Sequence, residues 1–225
     1  MHRISFHQKL ETLRERLLQM AGVAEQTLRF ALDAHCRGEL SACAQVRLNE
    51  AIINRSEREI DQMALDLLAM EQPMAVDLRF VLAAIKINSD LERVGDQSMT
   101  IALLAEELAS SQPCDFPIDI PRMAELSITM VRKALQALAN RDAELATSVL
   151  AMDDAVDDMY RRAKGVLLEC IAKDSSAARS AVNLLFISRS LERIADHATN
   201  MAEDVIFWVR GADVRHGHAL QTQVN

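Results

Sequence analysis

One ten-residue segment occurs twice in this chain, at positions 100 residues apart. Residues 87–96 read Ile-Asn-Ser-Asp-Leu-Glu-Arg-Val-Gly-Asp, and residues 187–196 read Ile-Ser-Arg-Ser-Leu-Glu-Arg-Ile-Ala-Asp. Residues 50–54 and 153–157 also agree, at a spacing of 103, and a loop can absorb the difference of three residues. The 225 residues therefore form two copies of one unit, and both copies must fold in the same way.

Apolar residues in and around both copies recur at steps of three and four, the period of one face of an α-helix. The four prolines fall between these periodic segments, and helix interiors exclude proline. Aromatic residues make up only 4% of the chain, which argues against a sheet. Two stripes are expected to face the core: Phe80, Ala84, Ile87, Leu91, Val94, Ser98, Ile101 and Ala105, and Ile187, Leu191, Ile194, Ala198, Met201, Val205 and Trp208.

These patterns predict an all-α fold made of two tandem, pseudo-symmetric three-helix bundles. The first bundle is expected within residues 1–110 and the second within 118–212, followed by a polar tail over 213–225. The six helices are predicted at about 5–37, 40–71, 75–109, 120–140, 142–173 and 176–210.

Charge and composition exclude several classes of protein. The formal net charge of −8 disfavours a nucleic-acid binder, which needs a basic face. No apolar run is long enough to span a bilayer, and no signal peptide can be drawn, so a cytoplasmic protein that meets the membrane only through partners is expected. The four cysteines show no Cys-x-x-Cys spacing, so we interpret them as small apolar residues in a reducing compartment.

The strongest candidate for chemistry is a set of carboxylates. Residues four apart share a helix face, so the Glu92/Asp96 and Glu192/Asp196 pairs each place like charges side by side. The middle helix of each unit adds an acidic row, and two such rows could face one groove. Hard oxygen ligands suit Mg²⁺, Mn²⁺, Ca²⁺ or iron. We therefore predict metal ligands at Glu50, Glu57, Glu92, Asp96, Asp153, Asp157, Glu192 and Asp196.

A simpler interpretation is an exposed helix face on which these acids pair with neighbouring arginines such as Arg93 and Arg193. Duplication favours the metal site, because charged surface residues change freely as duplicated halves diverge unless a function constrains them. His197 is matched by Gln97 and is interpreted as a surface or packing residue, while His216 and His218 lie in the tail.

Several motifs together resemble the PhoU family of phosphate-uptake regulators, also called phosphate-specific transport accessory proteins. They are Gln72-Pro-x-Ala-x-Asp-Leu-Arg79, Leu91-Glu-Arg-Val-Gly-Asp96, Leu191-Glu-Arg-Ile-Ala-Asp-His-Ala-Thr-Asn200, Ala202-Glu-Asp-Val-Ile-Phe-Trp-Val-Arg-Gly211 and Asp213-Val-Arg-His216. The resemblance implies two tandem three-helix bundles that carry metal ions on Glu/Asp-x-x-x-Asp motifs. In this chain Glu50-x-x-x-Asn54 departs from that motif, because Asn offers one neutral oxygen.

The resemblance also implies a function, namely negative regulation of the phosphate-starvation (Pho) response. The partners expected on this basis are the ATPase subunit of a phosphate ABC transporter and a sensor histidine kinase, which the protein would link as an adaptor without catalysis. A homodimer is also expected. The alternatives are a di-iron-type oxidase and a metal or phosphate store. The first needs Glu-x-x-His on two helices, which the sequence lacks, and the second is left open.

Overall fold

The computed structural model of the protein describes residues 2–111 and 116–215, with side chains from Phe6 onward. These residues form α-helices joined by short connections, and no strand occurs among them. The helices are α1 (His2–Arg37), α2 (Ala42–Glu71), α3 (Val76–Ala109), α4 (Ile120–Asn140), α5 (Ala143–Leu150), α6 (Asp153–Lys173) and α7 (Ala178–Arg210), with a 3₁₀ turn at Ser175–Ala177 before α7. The predicted all-α fold is confirmed. Cys114, His216, His218 and the end of the predicted tail lie outside the described residues.

The predicted fifth helix is divided into two segments, α5 and α6, by a turn at Ala151 and Met152. Asp142 caps α5 by accepting hydrogen bonds from the backbone N–H groups of Glu144 and Leu145 at 3.0 and 2.9 Å. The first turn of α6 contains Asp153 and Asp154. Carboxylates are favourable at a helix N-terminus, where the backbone N–H groups have no partner inside the helix. The turn therefore starts a new helix at the acidic row.

Helices α1, α2 and α3 form one bundle, and α4, α6 and α7 with the short α5 form the other. The two bundles share a continuous apolar core, and α3 of one packs against α7 of the other. All residues of the two predicted stripes are buried, as the helical period required. The domain limits drawn from the sequence stay predictions.

Polar contacts along α3 and α7 show that these two helices run antiparallel. Lys86 Nζ donates to Asp204 Oδ1 at 2.9 Å, and His197 Nδ1 lies 2.8 Å from Asp90 Oδ1. Positions on α3 therefore pair with positions on α7 in reverse order. Because the copies are also offset by 100 residues, a pseudo-two-fold axis relates the two bundles.

Gly95 sets how closely α2 approaches α3. A Cβ atom at this position would lie 3.0 Å from Ile53 Cδ1 of α2, closer than ordinary van der Waals contact. The matching residues of the second bundle are Ala195 and Val156, a larger and a smaller side chain respectively. The matching positions of the second bundle thus also carry one small and one branched residue.

No helix within residues 2–111 and 116–215 is long and apolar enough to cross a membrane.

Candidate cation-binding grooves

The antiparallel pairing of α2 with α3, and of α6 with α7, brings the predicted acidic rows together in two grooves. The first groove lies between α2, which carries Glu50, Asn54, Glu57 and Asp61, and α3, which carries Glu92 and Asp96. Across it, the charge of Glu57 acts on Glu92. The second groove contains Asp153 and Asp157 from α6 with Glu192 and Asp196 from α7. Both grooves lie on the flank of the bundles, because the core stripes of α3 and α7 pass one residue before each glutamate.

Much of the charge in the first groove already has a partner. Asn54 Nδ2 donates to Glu50 Oε1 at 2.9 Å, so this amide serves as a donor where an aspartate would be a second anion. Arg93 Nη1 lies 3.2 Å from Asp96 Oδ2, and Arg93 Nε lies 3.3 Å from Glu92 Oε2. Ion pairing with Arg93 therefore agrees with the simpler interpretation for this groove.

Glu92 is the exception within the first groove. Its Oε2 atom is buried and accepts no hydrogen bond, since the contact with Arg93 Nε lacks the geometry of one. Burial, together with the neighbouring charges of Asp96 and Glu57, raises the pKa of Glu92. A buried carboxylate oxygen without a donor is costly, and a cation could relieve that cost.

The second groove concentrates negative charge more strongly. Asp153 accepts a hydrogen bond from Thr199 Oγ1 at 3.1 Å, which favours the ionised form, but burial and the charges of Asp157 and Asp154 raise its pKa overall. Burial and the charge of Asp157 likewise raise the pKa of Glu192, although two nearby arginines act in the opposite direction. The charges of these carboxylates therefore repel one another across the groove.

Asp196 shows the largest effect among the groove carboxylates. Partial desolvation and the charges of Glu192, Asp153 and Asp157 raise the pKa of Asp196 to about 6. The side chain is nevertheless exposed to solvent, so water can reach the carboxylate. A cation bound beside these carboxylates would offset their mutual repulsion.

The donor chemistry of the grooves fits hard cations, because every acidic donor is a carboxylate. Within the described ranges, however, no group of three or more His, Cys, Asp and Glu side chains lies close enough to hold one ion. Cation binding would therefore require groove side chains to change rotamer, and the predicted ligand set stays a prediction.

Two residues of the groove walls were not predicted from the sequence. Asn88 Nδ2 donates at 2.9 Å both to Asp61 Oδ1 and to the backbone oxygen of Glu57. Its own Oδ1 is buried without a partner. Thr199 donates to Asp153, as described above. Helical spacing could have found both, since Asn88 precedes Glu92 by four residues and Thr199 follows Asp196 by three, but neither type stands out among acids.

Comparison with known proteins finds a matching family model and similar proteins. The family model described as PhoU domain matches residues 17–105 and again residues 120–205. A phosphate-specific transport system accessory protein PhoU homolog from Pseudomonas aeruginosa is 38% identical over 219 residues, covering 96% of this chain and 90% of that protein.

Two solved structures have the same fold. The crystal structure of PhoU from Pseudomonas aeruginosa matches with a TM-score of 0.87 at 37% identity, covering 92% of this chain and 99% of that chain. The phosphate transport system regulatory protein PhoU from Streptococcus pneumoniae matches with a TM-score of 0.82 at 27% identity, covering 93% and 99%.

Proposed function

Because this chain belongs to the PhoU family, as its motifs predict, we propose that it is an accessory protein of a phosphate-specific transport system and a negative regulator of the phosphate-starvation response. The observation that carries the proposal is the family match to both halves of the chain. The match to the Pseudomonas aeruginosa homolog covers 90% of that protein, and the match to the Pseudomonas aeruginosa crystal structure covers 99% of that chain. The regulator acts as a cytoplasmic adaptor that contacts the transporter's ATPase subunit and a sensor histidine kinase, and it catalyses no reaction.

The two carboxylate grooves take part in this function by holding divalent or ferric ions such as Mg²⁺, Mn²⁺ or iron. Asp153, Asp157, Glu192 and Asp196 are the ligands of the second groove. Glu50, Glu57, Glu92 and Asp96 are those of the first. A bound cation supplies positive charge that offsets the repulsion described above. The second groove binds more tightly, because it has the acidic Asp157 where the first groove has Asn54, and because Arg93 pairs with Asp96 in the first.

A deletion strain tests the regulatory proposal. Loss of the gene leaves phosphate-starvation genes expressed in phosphate-rich medium, and a plasmid copy restores repression. Purified protein also binds the transporter's ATPase subunit in a pull-down. Normal repression in a deletion strain that has no second copy of the family would refute the proposal.

Metal analysis and melting temperature test the grooves. The double change Glu192→Gln with Asp196→Asn removes metal from the second half, and chelator then lowers the melting temperature of the wild type more than that of the variant. A cation that binds only the folded state at a hundredfold excess over Kd stabilises it by about 2.7 kcal/mol.

The matched control is Asp154→Asn with Asp158→Asn, which removes two acidic charges from the exposed side of α6 beside the groove. This control should keep its metal. The metal site would be refuted if the wild type carries no metal by elemental analysis after chelator-free purification and chelator does not change its melting temperature. The carboxylates would then be only a charged helix face.

A further inference from the structure

The chain is three residues longer around the connection of α2 to α3 than around the matching connection of α6 to α7. Acidic positions on α2 and α6 match at an offset of 103, whereas α3 and α7 match at 100. Three extra residues therefore lie between these matched positions in the first bundle. Both connections contain four residues, 72–75 and 174–177, so the extra length is at the end of α2 and the start of α3. The second bundle makes the same link with a short 3₁₀ turn.

This connection has an unfavourable backbone. Gln72 has φ of 46° and Ala75 has φ of 50°, the left-handed region that favours glycine. Conformations of this kind cost about 1–3 kcal/mol for residues other than glycine. No residue between α6 and α7 has a positive φ. The strain is thus specific to the first bundle.

The same connection presents apolar side chains to solvent. Met74 is 80% exposed, Met70 at the end of α2 is 68% exposed, and Val76 at the start of α3 is 52% exposed. At the matching positions of the second bundle, Met70 is replaced by Lys173 and Val76 by Ser176, both exposed. Since the second bundle folds with polar residues there, the exposed apolar residues of the first do not serve the fold.

Two clefts flank these residues and give the surface a negative charge. One cleft of about 350 Å³ lies between α1 and α2 and includes Met70, Lys9 and Asp66. The other, of about 450 Å³, includes Met74, Glu71 and Asp77. The clefts together contain the carboxylates of Asp66, Glu71 and Asp77 and the ammonium group of Lys9. Lys9 pairs with the nearly buried Glu71 at 2.5 Å, so Asp66 and Asp77 give the surface its negative charge.

We propose that Met70, Met74 and Val76, with the two clefts beside them, form a docking surface for an amphipathic helix of a partner protein that carries Lys or Arg beside its apolar face. Flexible methionine side chains adapt to the apolar face of such a helix. The carboxylates of Asp66 and Asp77 complement its basic edges. Those carboxylates would repel an anionic lipid surface, and they would oppose each other in a symmetric contact with a second copy of this chain.

This surface deepens the adaptor function proposed above and rests on it, but it is separate from the cation grooves. Glu57 of the first groove precedes the end of α2 by about 21 Å along the helix axis. Substitutions at the docking surface should therefore leave metal content unchanged.

Peptide binding to the full-length protein tests the surface. The probes are two synthetic peptides labelled with fluorescein. Each has about 18 residues, which is long enough for about five helical turns. Both have a leucine face, and one has lysine and the other glutamate at its polar positions. The lysine helix binds the wild type, and the triple change Met70→Gln, Met74→Gln and Val76→Ser weakens that binding about tenfold, equivalent to about 1.4 kcal/mol. The glutamate helix does not bind.

A control variant separates this surface from general acidity. Leu48→Gln, Ile52→Gln and Leu103→Gln change three other exposed apolar residues without changing charge, and binding of the lysine helix stays at the wild-type level. Equal loss of binding in both variants, or equal binding of the two helices, overturns the proposal. Matching melting temperatures show that both variants fold.

Vesicle flotation and sedimentation test the other occupants. The docking variant is the triple change Met70→Gln, Met74→Gln and Val76→Ser. If the wild type floats with vesicles of equal parts phosphatidylglycerol and phosphatidylcholine and the docking variant does not, the surface binds lipid. Self-association that the docking variant abolishes would assign it to a second copy. Either result overturns the proposal.

Complementation separates failure of this surface from failure of the proposed function. In the deletion strain, the control variant restores repression and the docking variant does not. If the deletion strain represses normally, the regulatory function fails while the peptide result still decides the surface. If deletion abolishes repression and the docking variant restores it fully, the docking surface is wrong and the regulatory function stands.

Discussion

Asp196 lies where three other carboxylates of the second groove act on one ionisable group. Its pKa rises from an ordinary value of 3.8 to about 6, through partial desolvation and the charges of Glu192, Asp153 and Asp157. The folded protein therefore binds this proton more tightly than the unfolded chain. Without a bound cation, this residue makes the free energy of unfolding fall as pH rises from about 4 to about 6.

We predict that Asp196→Asn stabilises the chelator-treated protein at pH 7 and has little effect at pH 4, because the asparagine cannot acquire the charge that repels its neighbours. Urea denaturation at the two pH values measures the difference. Asp96→Asn is the matched control in the first groove, and it should give no gain, since Asp96 pairs with Arg93 at 3.2 Å. Equal effects of the two substitutions at pH 7 would contradict this account.

At the scale of helices, the approach of α2 to α3 depends on Gly95 and Ile53. A glycine inside a helix costs about 0.5–1 kcal/mol relative to alanine, so its presence needs a packing reason. The reason is the buried Ile53 side chain, whose Cδ1 atom lies 3.0 Å from the position of an added Cβ. Gly165 of α6 has no such reason, since nothing lies within 4 Å of its Cβ position.

We predict that Gly165→Ala stabilises the protein by about 1 kcal/mol, whereas Gly95→Ala brings no such gain. Ile53→Val alone costs about 0.5–1.5 kcal/mol, but it costs less in the Gly95→Ala background, because that pair reproduces the Ala195 and Val156 of the second bundle. A double-mutant cycle in urea measures the coupling. Strict additivity of the two changes would show that the close contact carries no energy.

The helices themselves could largely be predicted from the sequence, because the apolar period and the prolines are local signals. The division of α5 from α6 was missed, although Asp153 and Asp154 together are a signal for a helix start. The strained connection before Val76 could not be predicted, since backbone angles at Gln72 and Ala75 depend on how α2 and α3 pack.

The candidate site was predictable to the level of which helices carry acids, and no further. Spacing of four residues places Glu192 beside Asp196 without any knowledge of the fold. The hydrogen bond from Asn54 to Glu50 and the orphaned oxygen of Glu92 depend on rotamers and on neighbouring helices, which no periodicity encodes.

At the scale of the whole molecule, the two bundles are related by symmetry but differ in the polar contacts that join them. Lys86 of α3 bonds Asp204 of α7, whose side chain is only 8% exposed. Burial raises the pKa of Asp204, while the bond from Lys86 acts in the opposite direction. The positions related by the 100-residue offset carry Phe186 and Leu104 instead. The same place in the interface is therefore ionic on one side of the axis and apolar on the other.

This asymmetry supplies a test of what joins the bundles. Lys86→Phe alone leaves the Asp204 carboxylate without its closest cation, and we predict a loss of about 1.5–3 kcal/mol in the free energy of unfolding. Adding Asp204→Leu installs the residue types of the matching positions and should recover most of the loss, because apolar residues often replace a buried ion pair at little cost. Lys164→Phe on the exposed face of α6 controls for the added aromatic ring and should change stability little. If the double variant is as unstable as the sum of the two single variants, Lys86 and Asp204 are not coupled, and the bundles are joined by their shared apolar core and by other contacts such as that of His197 with Asp90.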